Sequence, residues 1–136
     1  MAEFSWPLRV YYEDTDSGGV VYYANYLKFM ERARSEWLRA LGFEQDVLRR
    51  DEGVIFAVRS VTLDFLQPAR FNQLLNVTVK LIEQGRASLG FEQQVRDSAS
   101  GAALCSGHVK LACLDAVTLK ARALPKIIIA ELPGDL

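Results

Sequence analysis

Three carboxylates, Glu13, Asp14 and Asp16, crowd the stretch YYEDTDSGGVVYYANYLKFMERARSEWLRALG, and Gly18 and Gly19 follow them at once. Acids and glycines placed before a helical pattern could serve a metal, a phosphate, a helix cap or a reaction. A calcium loop starting at Asp14 fails at two ligand positions. Gly18 falls where Asp or Asn is needed, and Asn25 falls where a bidentate Glu is needed. A phosphate loop would need G-x-x-x-x-G-K-[ST], and these acids would repel the anion. A capping role fits, because acids near a helix start favour its dipole. A reaction site fits as well. A helix N-terminus offers unpaired N–H donors, and glycines let another molecule approach the backbone. A carboxylate beside such donors suits attack on a carbonyl: the donors hold the oxyanion, and the acid is nucleophile or base.

The elements that must position these groups read as one helix followed by strands. From Tyr22 to Leu41, Tyr26, Leu27, Met30, Ala33, Trp37, Leu38 and Leu41 recur at helical spacing. Lys28, Glu31, Arg32, Arg34, Ser35 and Glu36 form the expected solvated face, with Arg32 and Glu36 at pairing distance. Gly42 is the expected stop. Leu8 to Tyr12 is a short β-prone run, and Asp14 to Gly19 a loop. The period then becomes two. Val61–Phe65, Val77–Leu81, Ala87–Phe91 and Cys105–Cys113 read as strands, joined by QPARFNQ, EQGR and RDSASG. Short connections favour antiparallel neighbours. PKIIIAEL ends the pattern as a helical turn or short helix. The plan is α+β, with the sheet covering the apolar face of the helix.

The chain has 136 residues, which is the length of one domain, and half of them are hydrophobic. The net charge is −1 with interleaved signs, which argues against a nucleic-acid surface driven by bulk charge. The N-terminus lacks a signal-peptide pattern, and no apolar run reaches the roughly 20 residues of a bilayer span. Cys105 and Cys113 read as free thiols in a reducing cytosol. Their spacing within one strand suits neither a disulfide nor a zinc site, so no metal is expected.

The stretch YYEDTDSGGVVYYANYLKFMERARSEWL resembles the signature of hotdog-fold acyl-CoA thioesterases of the 4-hydroxybenzoyl-CoA thioesterase family, and most of all their Tol–Pal-associated bacterial subgroup. VTLDFLQPARFNQLLNVTV resembles the second strand, Pro-Ala turn and third strand of that family. The resemblance spans nearly the whole chain and rests on the D-x-D-x-x-G-x-V-x-x-x-x-N-Y spacing from Asp14 to Tyr26. It implies that Asp16 is the catalytic carboxylate and that the main-chain N–H of Tyr23 polarises the thioester carbonyl. The subgroup often carries histidine at position 23, and this chain has tyrosine. Gly19 lets the substrate close to the backbone, and Asn25 and Tyr26 match the pair that holds the helix start.

Arg86 and Ser88 match part of a nucleotide-binding strand start, although Gly85 and Ala87 stand where that motif is basic. Ser60 matches a family serine on the second strand. Phe29, Phe56 and Phe65 are expected to set pocket depth, and Trp6 and Trp37 to pack. His108, the only histidine, reads as a half-buried strand residue. The resemblance further implies a five-stranded antiparallel sheet wrapped around the helix, and a dimer with one continuous sheet that assembles into a dimer of dimers. It implies a cytoplasmic hydrolase acting on acyl-CoA, with coenzyme A as part of the substrate and no cofactor. A scaffold that docks acyl carrier protein or lipid-synthesis enzymes at the inner membrane is the alternative.

Overall fold

The computed structural model describes residues 3–134. Its frame is one five-stranded antiparallel sheet built from β1 (Phe4–Arg9), β2 (Val54–Phe65), β3 (Leu74–Gln84), β4 (Ser88–Asp97) and β5 (Ala103–Asp115), in the order β1-β3-β4-β5-β2. The main helix, α1 (Asn25–Ala40), packs on β3, β4 and β1. This is the α+β hotdog arrangement expected above. The alternation that marks the strands is also what builds the core. Leu75, Val77, Val79 and Leu81 of β3 and Leu89, Phe91 and Val95 of β4 point at Phe29, Met30 and Ala33 of α1. Trp37 meets Phe91 edge to face at 5.0 Å. Gly42 ends the helix at φ 101°, a conformation that costs other residues energy.

Several boundaries and faces differ from the sequence reading. The β-prone run at Leu8–Tyr12 is displaced: the strand is Phe4–Arg9, and Tyr12–Asp14 form a 3₁₀ turn. Asp14 causes the break, because its Oδ2 accepts the Tyr11 N–H at 2.8 Å and draws the chain out of extension. The helix starts at Asn25 rather than Tyr22, because the Tyr22 N–H is held by Asp14 O at 3.0 Å. On α1, Phe29 is buried and Leu27 is exposed. Arg34, placed on the solvated face from its charge, is buried at 8% exposure. Glu36 pairs with Arg39 rather than with Arg32. His108 is exposed, beside Glu92 at 3.7 Å. A second helix, α2 (Gln45–Asp51), follows Gly42 where the sequence shows no helical pattern, and α3 (Lys126–Ile129) is the short terminal helix.

The largest topological departure is QPARFNQ. It does not join neighbouring strands, because β4 and β5 lie between β2 and β3. It crosses the end of the sheet and packs beside the start of α1, which is where the acidic loop lies.

Candidate active site

The acidic loop is a tight hairpin whose own backbone closes it. Asp16 N–H donates to Val20 O at 2.9 Å, Gly19 N–H donates to Asp16 O at 3.0 Å, and Thr15 bridges Val21. Gly19 sits at φ 77°, in the left-handed region that glycine enters without strain. A Cβ at Gly18 would stand 3.2 Å from Asp16 Oδ1. The crossover holds the other side of the hairpin. Val21 N–H donates to Ala69 O at 2.8 Å, and Phe71 N–H donates to Gly19 O at 3.1 Å.

The two nearby aspartates have separate roles. Asp14 is buried, and both ends of it are occupied. Its carboxylate takes the Tyr11 N–H, and its carbonyl takes Tyr22 N–H and Asn25 Nδ2 at 2.9 Å. Asp16 is exposed at the hairpin tip, and its Oδ1 accepts Gly18 N–H at 2.8 Å. Its Oδ2 has no donor among the described residues. One carboxylate oxygen is therefore oriented and the other is open to a reacting partner.

The donor side lies at the far end of the same hairpin. Tyr23 and Ala24 form the turn before α1, closed by Asn25 N–H to Tyr22 O at 2.8 Å. Neither the Tyr23 nor the Ala24 N–H has an acceptor among the described residues, as the start of a helix leaves them. The Tyr23 side chain is exposed, with its ring 6.3 Å from that of Phe65. A groove of about 260 Å³ opens here between Tyr23, Tyr26, Phe65 and Pro68.

Asn25 and Tyr26 hold the helix start. Asn25 ties α1 to Asp14, and the Tyr26 hydroxyl accepts the Ala69 N–H at 3.0 Å, joining α1 to the crossover. Burial pushes the Tyr26 phenol up, and the Ala69 N–H opposes that shift. Tyr26→Phe leaves the buried Ala69 N–H unpaired. An expected loss of about 1–3 kcal/mol in unfolding free energy follows, read by urea melts. An unchanged midpoint would show that the bond contributes nothing.

The remaining candidates are not brought to Asp16 within one chain. Ser60 stands opposite Lys110 on the sheet face away from α1, just past a bulge at Val58. Arg86 and Ser88 lie at the β3–β4 turn, and Ser88 pairs with Ala112. Phe65, at the Tyr23 end, pairs with Cys105. Seven residues of β5 separate the two places, roughly 23 Å at strand rise. A Cβ at Gly85 would crowd the Ser88 hydroxyl, which would have to turn aside to admit a side chain there. Cys105 and Cys113 are buried and free, and burial pushes the Cys105 thiol up to about 11, which makes it a poor nucleophile. Among the described residues, no three His, Cys, Asp or Glu side chains are grouped to share a metal ion, and no helix is long and apolar enough to cross a membrane.

The thioesterase superfamily model matches residues 18–103, and the chain belongs to that family. The chain is 44% identical to the acyl-CoA thioester hydrolase YbgC of Escherichia coli O6:H1, over 94% of each chain. It is 43% identical to the acyl-CoA thioesterase YbgC of Haemophilus influenzae, over 90% of this chain and 89% of the relative. Among solved structures, a probable thioesterase from Bartonella henselae superposes with a TM-score of 0.86 at 35% identity, over 91% of this chain and all of the other.

Proposed function

We infer that this chain is an acyl-CoA thioester hydrolase in which Asp16 and the Tyr23 N–H act on the thioester carbonyl. The observation that carries the residue assignment is the hairpin itself. It presents an oriented carboxylate with one open oxygen and ends in main-chain donors that have no partner among the described residues. The names of the two YbgC relatives support the substrate class. The thioester carbonyl accepts from the Tyr23 N–H. Asp16 either attacks the carbonyl carbon, giving an anhydride that water opens, or takes a proton from the water that attacks. Either route ends in the free acid and the thiol of coenzyme A. Gly19 keeps the approach free of side chains. A turnover screen across acyl-CoA chain lengths, benzoyl thioesters and acyl carrier protein thioesters tests the reading. Inactivity on every acyl-CoA would overturn it and favour the scaffold role.

We propose further that the chain assembles through the edge of its sheet. Strand β2 is an edge, and Val58, Val61 and Phe65 on it are exposed, an arrangement prone to pairing with another chain. Two copies joined along β2 form one continuous sheet, and a pair of such dimers gives a tetramer. That assembly is what could bring Ser60, Arg86 and Ser88 of one copy toward Asp16 of another, to hold the nucleotide of coenzyme A. A one-chain mass by light scattering would overturn it.

The proposed mechanism uses only carboxylate and backbone, with no cofactor. Turnover should persist after exhaustive EDTA treatment. A rate lost to the chelator and restored by added metal would sink the metal-free route.

A further inference from the structure

Chemistry at Asp16 uses one flank of the crossover, and a second cleft lies against it. This cleft is walled by Gln67, Pro68, Arg70 and Gln73 of the crossover and by Asp97 and Ser100 at the β4–β5 turn. It measures about 400 Å³, a size that holds a small molecule. Among the described residues, none of β2 lines it. Gln67 and Pro68 also line the groove beside Tyr23, so the cleft adjoins the place assigned to the thioester.

The cleft is propped open by its own side chains. Gln73 spans it: Nε2 donates to Asp97 Oδ1 at 2.9 Å, and Oε1 accepts the Arg70 N–H at 2.9 Å. Asp97 Oδ2 accepts the Ser100 N–H at 2.9 Å. Hydrogen bonds from Gln73 and Ser100 hold the Asp97 carboxyl below its ordinary range, so it stays an acceptor. The Gln67 carboxamide and the Arg70 guanidinium stand outside that frame. Both residues are exposed, and neither group has a hydrogen-bond partner or an ion pair among the described residues. The lining therefore carries one cation, one anion, two carboxamides and a hydroxyl. Its charges cancel, and donors and acceptors are both present. That set suits a neutral chain of amides. A phosphate at Arg70 would meet the Asp97 charge, and an ammonium at Asp97 would meet the Arg70 charge.

We propose that this cleft holds the pantetheine arm of the acyl-CoA, with Gln67 and Arg70 on its second amide, counted from the sulfur. This rests on the thioesterase reading. The spacing supports it. The Asp16 N–H donates to Val20 O, and Val20 bridges Arg70, so the three lie on neighbouring extended segments. Two strand spacings put Arg70 about 10 Å from Asp16. An extended chain advances about 1.2 Å per bond, which sets the two amide nitrogens of pantetheine roughly 4 and 8 Å from the sulfur. The first amide stays beside the thioester, and the second reaches Gln67 and Arg70. The arm is then held within one chain, and only the nucleotide beyond it needs another copy.

The experiment carries one acyl group, the best of the turnover screen, on N-acetylcysteamine, on pantetheine and on coenzyme A. N-acetylcysteamine has the first amide and lacks the second. The wild-type chain should show a kcat/KM at least about tenfold higher for the pantetheine thioester than for the shorter one, the scale of one or two hydrogen bonds. Gln67→Leu and Arg70→Met should each lower that ratio by about threefold or more, and the double variant should bring it near unity. Neither side chain bonds to a described residue, so the frame of the cleft should persist, which circular dichroism checks. A further gain from pantetheine to coenzyme A belongs to the nucleotide and should survive both changes. Equal kcat/KM on the two short thioesters in the wild-type chain overturns the proposal, and this comparison needs no variant to fold. An unchanged ratio in the folded double variant overturns it as well, and a ratio lost instead in Arg86→Ala would place the arm on a second copy. Hydrolysis without the pantetheine preference sinks the proposal alone; no hydrolysis of the coenzyme A thioester sinks the thioesterase reading with it.

Discussion

Asp16→Asn is expected to lower kcat by about 10²–10⁴, the usual worth of a positioned carboxylate base. The substitution suits the test because it preserves geometry. The amide oxygen can still accept the Gly18 N–H that now reaches Oδ1 at 2.8 Å, and the hairpin is closed by main-chain bonds that do not involve the side chain. What is lost is the charge on the open oxygen, which both the nucleophilic and the general-base route require. Asp14→Asn is the control. Its carboxylate already holds the Tyr11 N–H, and an amide oxygen can take that bond over, so turnover should fall far less. Equal losses at the two positions, with circular dichroism unchanged, would mean that the wrong aspartate has been assigned.

The sheet was legible because alternation is a direct record of burial. Val77, Val79 and Leu81 alternate in sequence, and in the structure all three face the helix. The acidic loop was legible because its glycines, acids and helix start lie within one short stretch. Three features were not. The neighbours of β2 could not be read from the length of QPARFNQ, because a loop long enough to turn is also long enough to cross the end of a sheet. Its placement depends on Ala69 meeting the Tyr26 hydroxyl, a contact between residues far apart in the chain. The charge of Arg34 points to solvent, and the structure buries it. Its burial depends on Gln93, which supplies an acceptor inside the core, and no periodicity in the helix announces that partner. The position of Arg86 relative to Asp16 was hidden for another reason: one chain sets them at opposite ends of the sheet, and motif matching carries no information about which copy supplies a residue.

Tyr23→Pro is expected to lower turnover by about 10²–10³, the usual effect of losing one oxyanion donor. Proline removes the N–H and leaves the rest of the turn to be judged separately. The Tyr23 N–H makes no bond to any described residue, so its removal breaks no hydrogen bond among them. Proline also fixes φ, and it disfavours a helical conformation in the residue before it. The side-chain variants separate these effects. Tyr23→Phe and Tyr23→His keep the N–H, and each should stay within about tenfold of the wild-type rate, roughly 1.4 kcal/mol of barrier. The exposed ring supports that expectation, because truncating or exchanging it opens no cavity. Circular dichroism and oligomer size for each variant show whether the helix start has survived. A folded Tyr23→Phe that has lost turnover would assign the chemistry to the phenol and end the backbone-donor mechanism. Full activity in a folded Tyr23→Pro would end it equally and move the donor to the neighbouring Ala24 N–H, the other amide at this turn without an acceptor among the described residues.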